Sequence, residues 1–175
     1  NGRRDSRHRI EHIELIDRAD VPRLGALGIT ASVQPVHAPG AMDFDMFPTL
    51  DVIGRNRWAD AYLCRDLAAA GAHLAFASDW PVTDISVLRG IGAALTRPTY
   101  EGAADQRVPL MEVLRAYTAA GAWAAHMDRL SGTLKPGLAA DIVVLSGDIE
   151  AVAPAEISGM AVALTVCGGR VTHRG

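Results

Sequence analysis

Short apolar runs alternate with longer segments of helical period along most of this chain. Apolar runs of this length suit strands that are buried on both faces, and the longer segments suit the crossover helices that join parallel strands. The predicted strands cover residues 9–12, 30–34 and 73–78. The alternation therefore predicts an α/β fold with a parallel sheet.

The helical segments follow these strands. The predicted helices cover residues 18–27, 58–70 and 86–95, and the second is preceded by a loop through Pro48. Residues 109–127 are rich in Ala, Leu and Met and predict one or two further helices, with Gly121 as a plausible break.

The character of the sequence changes after Ser131. Residues 132–137 are typical of a turn, and residues 141–145 form a β-branched run that predicts a strand. Residues 162–166 and 170–173 flank a Gly-Gly pair and predict a β-hairpin with a two-residue turn. We therefore expect two domains, residues 1–130 and residues 131–175.

Composition excludes several classes of protein. Apolar residues make up 49% of the 175 residues, charged residues make up 21%, and the net charge is -3. These values are typical of a globular protein and give no basic bias for nucleic acid, and no apolar run approaches the roughly 20 residues that span a membrane. Cys64 and Cys167 lie in apolar stretches and are predicted to be buried reduced thiols, which favours a cytoplasmic protein.

Polar side chains stand where the three predicted strands end. The first strand ends on His12, the second approaches Gln34 and His37, and the third is followed by Asp79. In parallel α/β barrels, the carboxyl ends of the strands form the active site. His and Asp are also residue types that bind zinc. The pattern alone leaves alternatives open, because a strand-end His can be structural and a Ser-Asp pair can be a helix N-cap.

Several segments together resemble the amidohydrolase superfamily, and they are most similar to its YtcJ-like amidohydrolase 3 branch. RHRIEH at residues 7–12, SVQP at residues 32–35 with His37, and LAFASDWPV at residues 74–82 resemble the last three barrel strands. YTAAGA at residues 117–122 and GTLKPGLAADIVVL at residues 132–145 resemble the return from the barrel to a small β-sandwich.

The resemblance implies a fold and a site. The fold is the C-terminal part of a TIM-like (β/α)8 metal-dependent hydrolase barrel, comprising strands six to eight, followed by strands of the β-sandwich. His12 is implied as a metal ligand, and Asp79 as both a metal ligand and the catalytic proton acceptor. Gln34, His37 and Trp80 are implied to contact a small-molecule substrate. The cofactor is Zn²⁺ or another divalent metal, one or two ions in the full-length parent.

The departures from the family pattern are equally informative. Its paired histidines, its bridging ligand and the histidine of its fifth strand have no counterpart in this chain, so we expect an incomplete site in a fragment that is inactive alone. We also expect self-association or pairing with the missing N-terminal part. Glu11 and Glu14 flank His12, and we interpret both as solvated or capping residues rather than as acids or partners of a ligand.

The function predicted for the full-length parent is metal-dependent hydrolysis of a non-peptide C–N bond of amide, N-acyl or N-formyl type. One alternative is a noncatalytic scaffold or half of a two-chain assembly. Another is a cyclic amidohydrolase of dihydroorotase-like or imidazolonepropionase-like type. The identity of the substrate does not follow from the sequence, because fold does not fix function.

Overall fold

A parallel three-stranded sheet forms the centre of the larger part of the molecule. The structure is a computed structural model that describes residues 2, 4–42 and 44–175. Strands β1 (Arg9–Glu11), β2 (Thr30–Val33) and β3 (His73–Phe76) pair in the order β1-β2-β3, both pairs parallel. The predicted parallel sheet is confirmed, although each strand ends one or two residues earlier than expected.

The central strand is the most deeply buried one. All four residues of β2 are buried, whereas all three residues of β1 are exposed. Ala31 in β2 and Leu67 in the helix before β3 are both 0% exposed and belong to one hydrophobic core. A sheet whose middle strand is enclosed in this way holds the carboxyl ends of its strands in fixed positions.

Helices connect the strands and follow them. Helix α1 (Val21–Leu27) leads from β1 to β2, and α4 (Val87–Thr96) follows β3. Helix α1 begins three residues later than predicted, after a turn in which the Asp17 carboxylate accepts a hydrogen bond from the backbone N–H of Ala19 at 2.9 Å. Ser86 caps α4 by accepting from the backbone N–H of Arg89, as its place before the helix suggests.

The crossover between β2 and β3 differs most from the prediction. Instead of one helix over residues 58–70 it contains α2 (Met46–Ile53), a 3₁₀ helix (Arg55–Asp60) and α3 (Cys64–Ala69). Gly54 and Tyr62 separate these pieces with φ values of 85° and 54°. A right-handed helix cannot continue through such left-handed conformations, so the single helix was wrong.

The segment after α4 contains two helices, α5 (Leu110–Tyr117) and α6 (Ala119–Ala124). The break lies at Thr118, with φ of -122° and ψ of -94°, and not at Gly121, which is inside α6. Among the described residues, no helix combines the length and apolar character needed to cross a membrane.

The C-terminal strands form a separate antiparallel sheet. It contains β4 (Ile142–Leu145), β5 (Val162–Cys167) and β6 (Arg170–Arg174). Gly168 and Gly169 have φ values of 55° and 78°, which is the signature of the two-residue turn predicted between β5 and β6. The 3₁₀ helix Pro154–Gly159 attaches this part to the core through Ile157, which is 1% exposed.

The two cysteines differ in their surroundings. Cys64 is buried and free, and burial raises the pKa of its thiol. Cys167 is also free but exposed, because it is the last residue of a strand at the surface. The predicted burial is therefore correct for Cys64 and wrong for Cys167.

Candidate metal centre

His12 lies directly after β1 and is held by the sheet. Its backbone N–H donates to the carbonyl of Ser32 at 2.8 Å and extends the β1–β2 pairing by one bond. At the same residue the chain turns sharply, with a φ of 70°. The turn leaves the imidazole at the carboxyl edge of the sheet, with 47% of the side chain exposed.

Asp79 occupies the corresponding position after β3. Its φ is 59°, and its carbonyl accepts a hydrogen bond from the backbone N–H of Val82 at 2.8 Å in a tight turn. Left-handed backbone is uncommon at residues other than glycine and is concentrated at functional sites. It is therefore informative that both residues carried over from the family as metal ligands, His12 and Asp79, adopt it.

His37 comes from the middle strand and is the buried member of the site. A short 3₁₀ helix, Pro35–His37, follows β2 and places the ring where it is 5% exposed. The edge of Phe44 packs against it with ring centroids 5.1 Å apart. The His12 ring lies nearly parallel to the His37 ring, with centroids 5.9 Å apart and an interplanar angle of 12°.

The three side chains converge on one point. One ligand atom from each of His12, His37 and Asp79 lies within 4.8 Å of the other two. Asp79 Oδ2 is 3.9 Å from His37 Nε2 and 4.0 Å from His12 Nδ1. Two atoms bound to one zinc ion are at most about 4.3 Å apart, so these separations suit a shared ion better than direct hydrogen bonds. Nitrogen and carboxylate donors are also the chemistry that zinc prefers.

Gln34 orients His12. His12 Nδ1 lies 2.9 Å from Gln34 Oε1, and Gln34 is itself buried, with the residue 5% exposed. The same nitrogen is 4.0 Å from Asp79 Oδ2, so the Gln34 amide contacts the edge of the His12 ring that faces Asp79.

Glu14 contacts the ring of His37. His37 Nδ1 lies 3.1 Å from Glu14 Oε1, and a carboxylate in this place accepts the Nδ1 proton. Glu14 was interpreted above as solvated or capping, and this contact corrects that interpretation. Glu11 is as exposed as Glu14, but it pairs with Arg9 at 2.7 Å and not with a histidine of the site.

Tyr62 completes the surroundings of Glu14. Burial, reinforced by the charge of the Glu14 carboxylate, raises the pKa of Tyr62 well above the ordinary value. The Tyr62 hydroxyl therefore stays protonated beside that carboxylate. Arg97 supports the same residue, because its Nη1 donates to the Tyr62 carbonyl at 2.6 Å and it is only 4% exposed.

Trp80 stands outside this cluster on the loop that follows Asp79. It is 65% exposed and lines an open depression of about 460 Å³ with residues 81–85. Val82 and Ile85 in the same loop are 60% and 67% exposed. Ser78 anchors the loop, since its hydroxyl accepts from the Trp80 N–H at 3.2 Å and its carbonyl accepts from the Thr83 hydroxyl.

The structure thus brings together the two predicted ligands, His12 and Asp79, and places Gln34 against His12. His37, predicted as a substrate contact, lies among the possible ligands. Trp80, also predicted as a substrate contact, lies on the adjoining loop. Among the described residues, no other group of His, Cys, Asp and Glu side chains meets the same spacing. His73 stacks on Trp123 with centroids 4.1 Å apart, and His173 lies in β6. Tyr62 was missed, and Glu14 was considered beside His12 but interpreted as solvated or capping, whereas it contacts His37.

Comparisons with known proteins identify the family of this chain. The sequence model of the amidohydrolase family matches residues 1–173. The chain is 28% identical over 181 residues to the putative amidohydrolase YtcJ of Bacillus subtilis (strain 168), covering 99% of this chain and 32% of that protein. It is 38% identical over 151 residues to Protein LONG AFTER FAR-RED 3 of Arabidopsis thaliana, covering 83% of this chain and 25% of that protein.

Solved structures share the fold. An uncharacterized metal-dependent hydrolase from Pyrococcus furiosus is 26% identical with a TM-score of 0.61, covering 74% of this chain and 26% of that one. Atrazine chlorohydrolase TrzN from Arthrobacter aurescens TC1, solved in complex with zinc, is 19% identical with a TM-score of 0.66, covering 95% and 36% of the two chains. The chain thus spans about a quarter to a third of the length of the curated relatives it matches.

Proposed function

The chain belongs to the amidohydrolase family, and from this premise we propose that the protein hydrolyses a non-peptide carbon–nitrogen bond of amide, N-acyl or N-formyl type with a divalent metal. The observation that carries the proposal is the convergence of His12, His37 and Asp79 at the carboxyl edge of the parallel sheet. Zinc is the expected ion, because nitrogen and carboxylate ligands suit it.

The residues divide the chemistry between them. A divalent ion supplies Lewis acidity, polarises the substrate carbonyl and lowers the pKa of a water it binds to about 7. His12 and Asp79 hold the ion, with Gln34 fixing the ring of His12. Asp79 also takes the proton of the attacking water and returns it to the departing nitrogen, which is general base followed by general acid catalysis.

We expect that side chains other than His12 and Asp79 also bind the metal. We propose that β1 to β3 are strands six to eight of a TIM-like barrel formed by residues 1–130, and that residues 131–175 belong to a β-sandwich. The lengths of the relatives support this, as does the position of β1 and β3 at the two edges of the sheet. Self-association, or pairing with a chain that supplies the other strands, would satisfy the backbone groups at those edges.

The loop after β3 is the proposed substrate contact. Its exposed Trp80, Val82 and Ile85 offer an apolar surface beside Asp79, which suits a small molecule with an apolar acyl or leaving group. We further propose a cytoplasmic location, supported by two cysteines that are both free.

The test uses the full-length product of the gene that encodes this chain. The protein is incubated with a panel of N-acetyl, N-formyl and carbamoyl compounds, and the released amine is measured before chelation, after chelation and after zinc is restored. We expect turnover that is lost on chelation and recovered with metal. A panel with no turnover in the metal-loaded protein would favour the noncatalytic scaffold, whereas turnover that persists without metal would contradict metal-dependent hydrolysis.

Asp79→Asn is the decisive variant. The amide keeps the shape of the side chain but is a poor base, so we expect turnover to fall by at least about 100-fold with the fold and some bound metal retained. Asp148→Asn is the matched control, because Asp148 is an exposed aspartate after β4. Retention of more than about a tenth of the activity in Asp79→Asn would remove Asp79 from the catalytic role.

A further inference from the structure

We infer that His37 is itself a metal ligand through Nε2, and that Glu14 is a positioning residue that holds its ring in the ligating tautomer. The inference rests on the proposed function, since it concerns the same metal. It assigns to His37 a role different from the substrate contact that the resemblance implied, and it gives Glu14 the role of partner to a ligand, which was considered from the sequence and set aside.

The first step is the state of His37 Nε2. The nitrogen is fully buried and has no hydrogen-bond partner among the described residues. A buried polar atom without a partner is costly, so its position requires an explanation. It points toward Asp79 Oδ2 at 3.9 Å, which is too long for a hydrogen bond and within the span of two donors on one zinc ion.

The second step is the other nitrogen of the ring. Glu14 accepts at His37 Nδ1, with 3.1 Å between the heavy atoms, so the proton of the neutral ring resides on Nδ1 and the lone pair on Nε2. A carboxylate behind a ligating histidine fixes the tautomer and raises the basicity of the ligand. His12 differs from His37, because its Nδ1 lies 2.9 Å from the Gln34 amide oxygen and also 4.0 Å from Asp79 Oδ2.

The third step explains how an acidic residue that is 45% exposed can hold one position. The Tyr62 N–H donates to the Glu14 carbonyl at 2.9 Å. Tyr62 is itself 7% exposed, and Arg97 holds it, because Arg97 Nη1 donates to the Tyr62 carbonyl. The backbone that carries the Glu14 carboxylate is therefore fixed by a buried residue.

Burial also argues against a substrate contact. His37 is 5% exposed and lies between the His12 ring and the edge of Phe44. Trp80 on the neighbouring loop is 65% exposed and lines the open depression. A substrate can reach Trp80 from solvent, whereas the free nitrogen of His37 faces Asp79.

The experiment measures metal affinity rather than turnover. Metal-free full-length protein is titrated with Co²⁺, and the visible absorption gives both the dissociation constant and the ligand field. We expect His37→Ala to weaken binding by about 100-fold or more and to shift the bands, because a nitrogen donor is lost. Glu14→Ala should weaken binding by about 10- to 100-fold, and Glu14→Gln should recover part of that loss, since its oxygen can still accept from Nδ1.

The controls separate the two proposals. Glu11→Ala is matched to Glu14→Ala, because the two side chains are 44% and 45% exposed, and it should leave affinity and spectrum unchanged. His12→Ala serves as the reference for the proposed metal site. If His12→Ala keeps wild-type affinity, the metal site itself is wrong. If His12→Ala loses affinity while His37→Ala and Glu14→Ala keep wild-type affinity and bands, the metal site stands and the role of His37 is overturned.

Should His37→Ala fail to fold, as judged by circular dichroism, the Glu14 variants still decide the matter. Glu14 is half-exposed, so its truncation removes little buried surface. Wild-type affinity and an unchanged spectrum in Glu14→Ala would then overturn the inference.

Discussion

The two sheets of this molecule differ in burial and in the chemistry at their ends. The middle strand of the parallel sheet is buried along its whole length, whereas every residue of β6 in the antiparallel sheet is exposed. Residues whose side chains can bind a metal follow the parallel strands, and His12, His37 and Asp79 meet there. The antiparallel strands end in a tight glycine turn without such a cluster among the described residues.

The difference follows from strand direction. Parallel strands all end at the same edge of their sheet, so residues that are 67 positions apart, such as His12 and Asp79, are brought together. Antiparallel strands alternate in direction, and their ends are joined by short turns. The parallel sheet therefore positions the site at one edge, whereas the antiparallel sheet has no comparable edge.

The largest contrast should be in metal binding. We expect His12→Ala in the full-length protein to lower zinc affinity by about 100-fold or more, because removing a ligand should cost at least as much as removing its outer partner. His173→Ala removes a histidine of β6 and should leave zinc content unchanged. Elemental analysis after dialysis gives the zinc per chain, and equal zinc in the two variants would show that His12 is merely structural.

Truncation of apolar residues should distinguish the two regions in the free energy of unfolding. Leu67 in α3 is 0% exposed, and Leu67→Ala should lower the free energy of unfolding by about 2 to 5 kcal/mol. Val171 in β6 is 46% exposed, so Val171→Ala should change it by no more than about 0.5 kcal/mol. Urea denaturation measures both values, and a larger loss in Val171→Ala would mean that another surface covers the antiparallel sheet.

The sequence predicted the parts of the structure that depend on local pattern. Apolar runs revealed β1 to β3, and the Gly-Gly pair revealed the turn between β5 and β6. The path between β2 and β3 was not predictable in the same way. Its breaks depend on left-handed backbone at Gly54 and Tyr62, and a tyrosine carries no local signal for that conformation.

The site shows the same limit. His12 and Asp79 could be proposed from their places after strands, with the family resemblance deciding their roles. The contacts of Glu14 could not, because they depend on His37, 23 residues away, and on the buried residue Tyr62, whose N–H donates to the Glu14 carbonyl. Glu11 and Glu14 are about equally exposed, and only the contact with His37 in the tertiary structure separated Glu14 from Glu11.

The smallest expected effect is the acid sensitivity of the segment that leads into α5. Arg107 donates to the Asp105 carboxylate from Nε at 2.9 Å and from Nη2 at 2.7 Å, and this hydrogen bonding lowers the pKa of Asp105 to about 2. Gln106 lies between these residues and is buried. Its side-chain oxygen accepts hydrogen bonds from the backbone N–H groups of Arg65 and Asp66, at the start of α3. The ion pair therefore stabilises a segment that supports the parallel region and not the antiparallel sheet.

The direction of the pH effect follows from the lowered pKa. Because the folded protein binds the proton more weakly than the unfolded chain, the pair stabilises the fold above the ordinary pKa of about 3.9, and this contribution is lost as the pH falls toward 2. Solvent screening keeps the contribution below about 1 kcal/mol. Asp105→Asn should thus be less stable than wild type at pH 5, and the difference should shrink between about pH 4 and pH 2. Urea denaturation across that range measures the difference in stability between the two proteins. A difference that does not change with pH would show that the ion pair contributes nothing to folding.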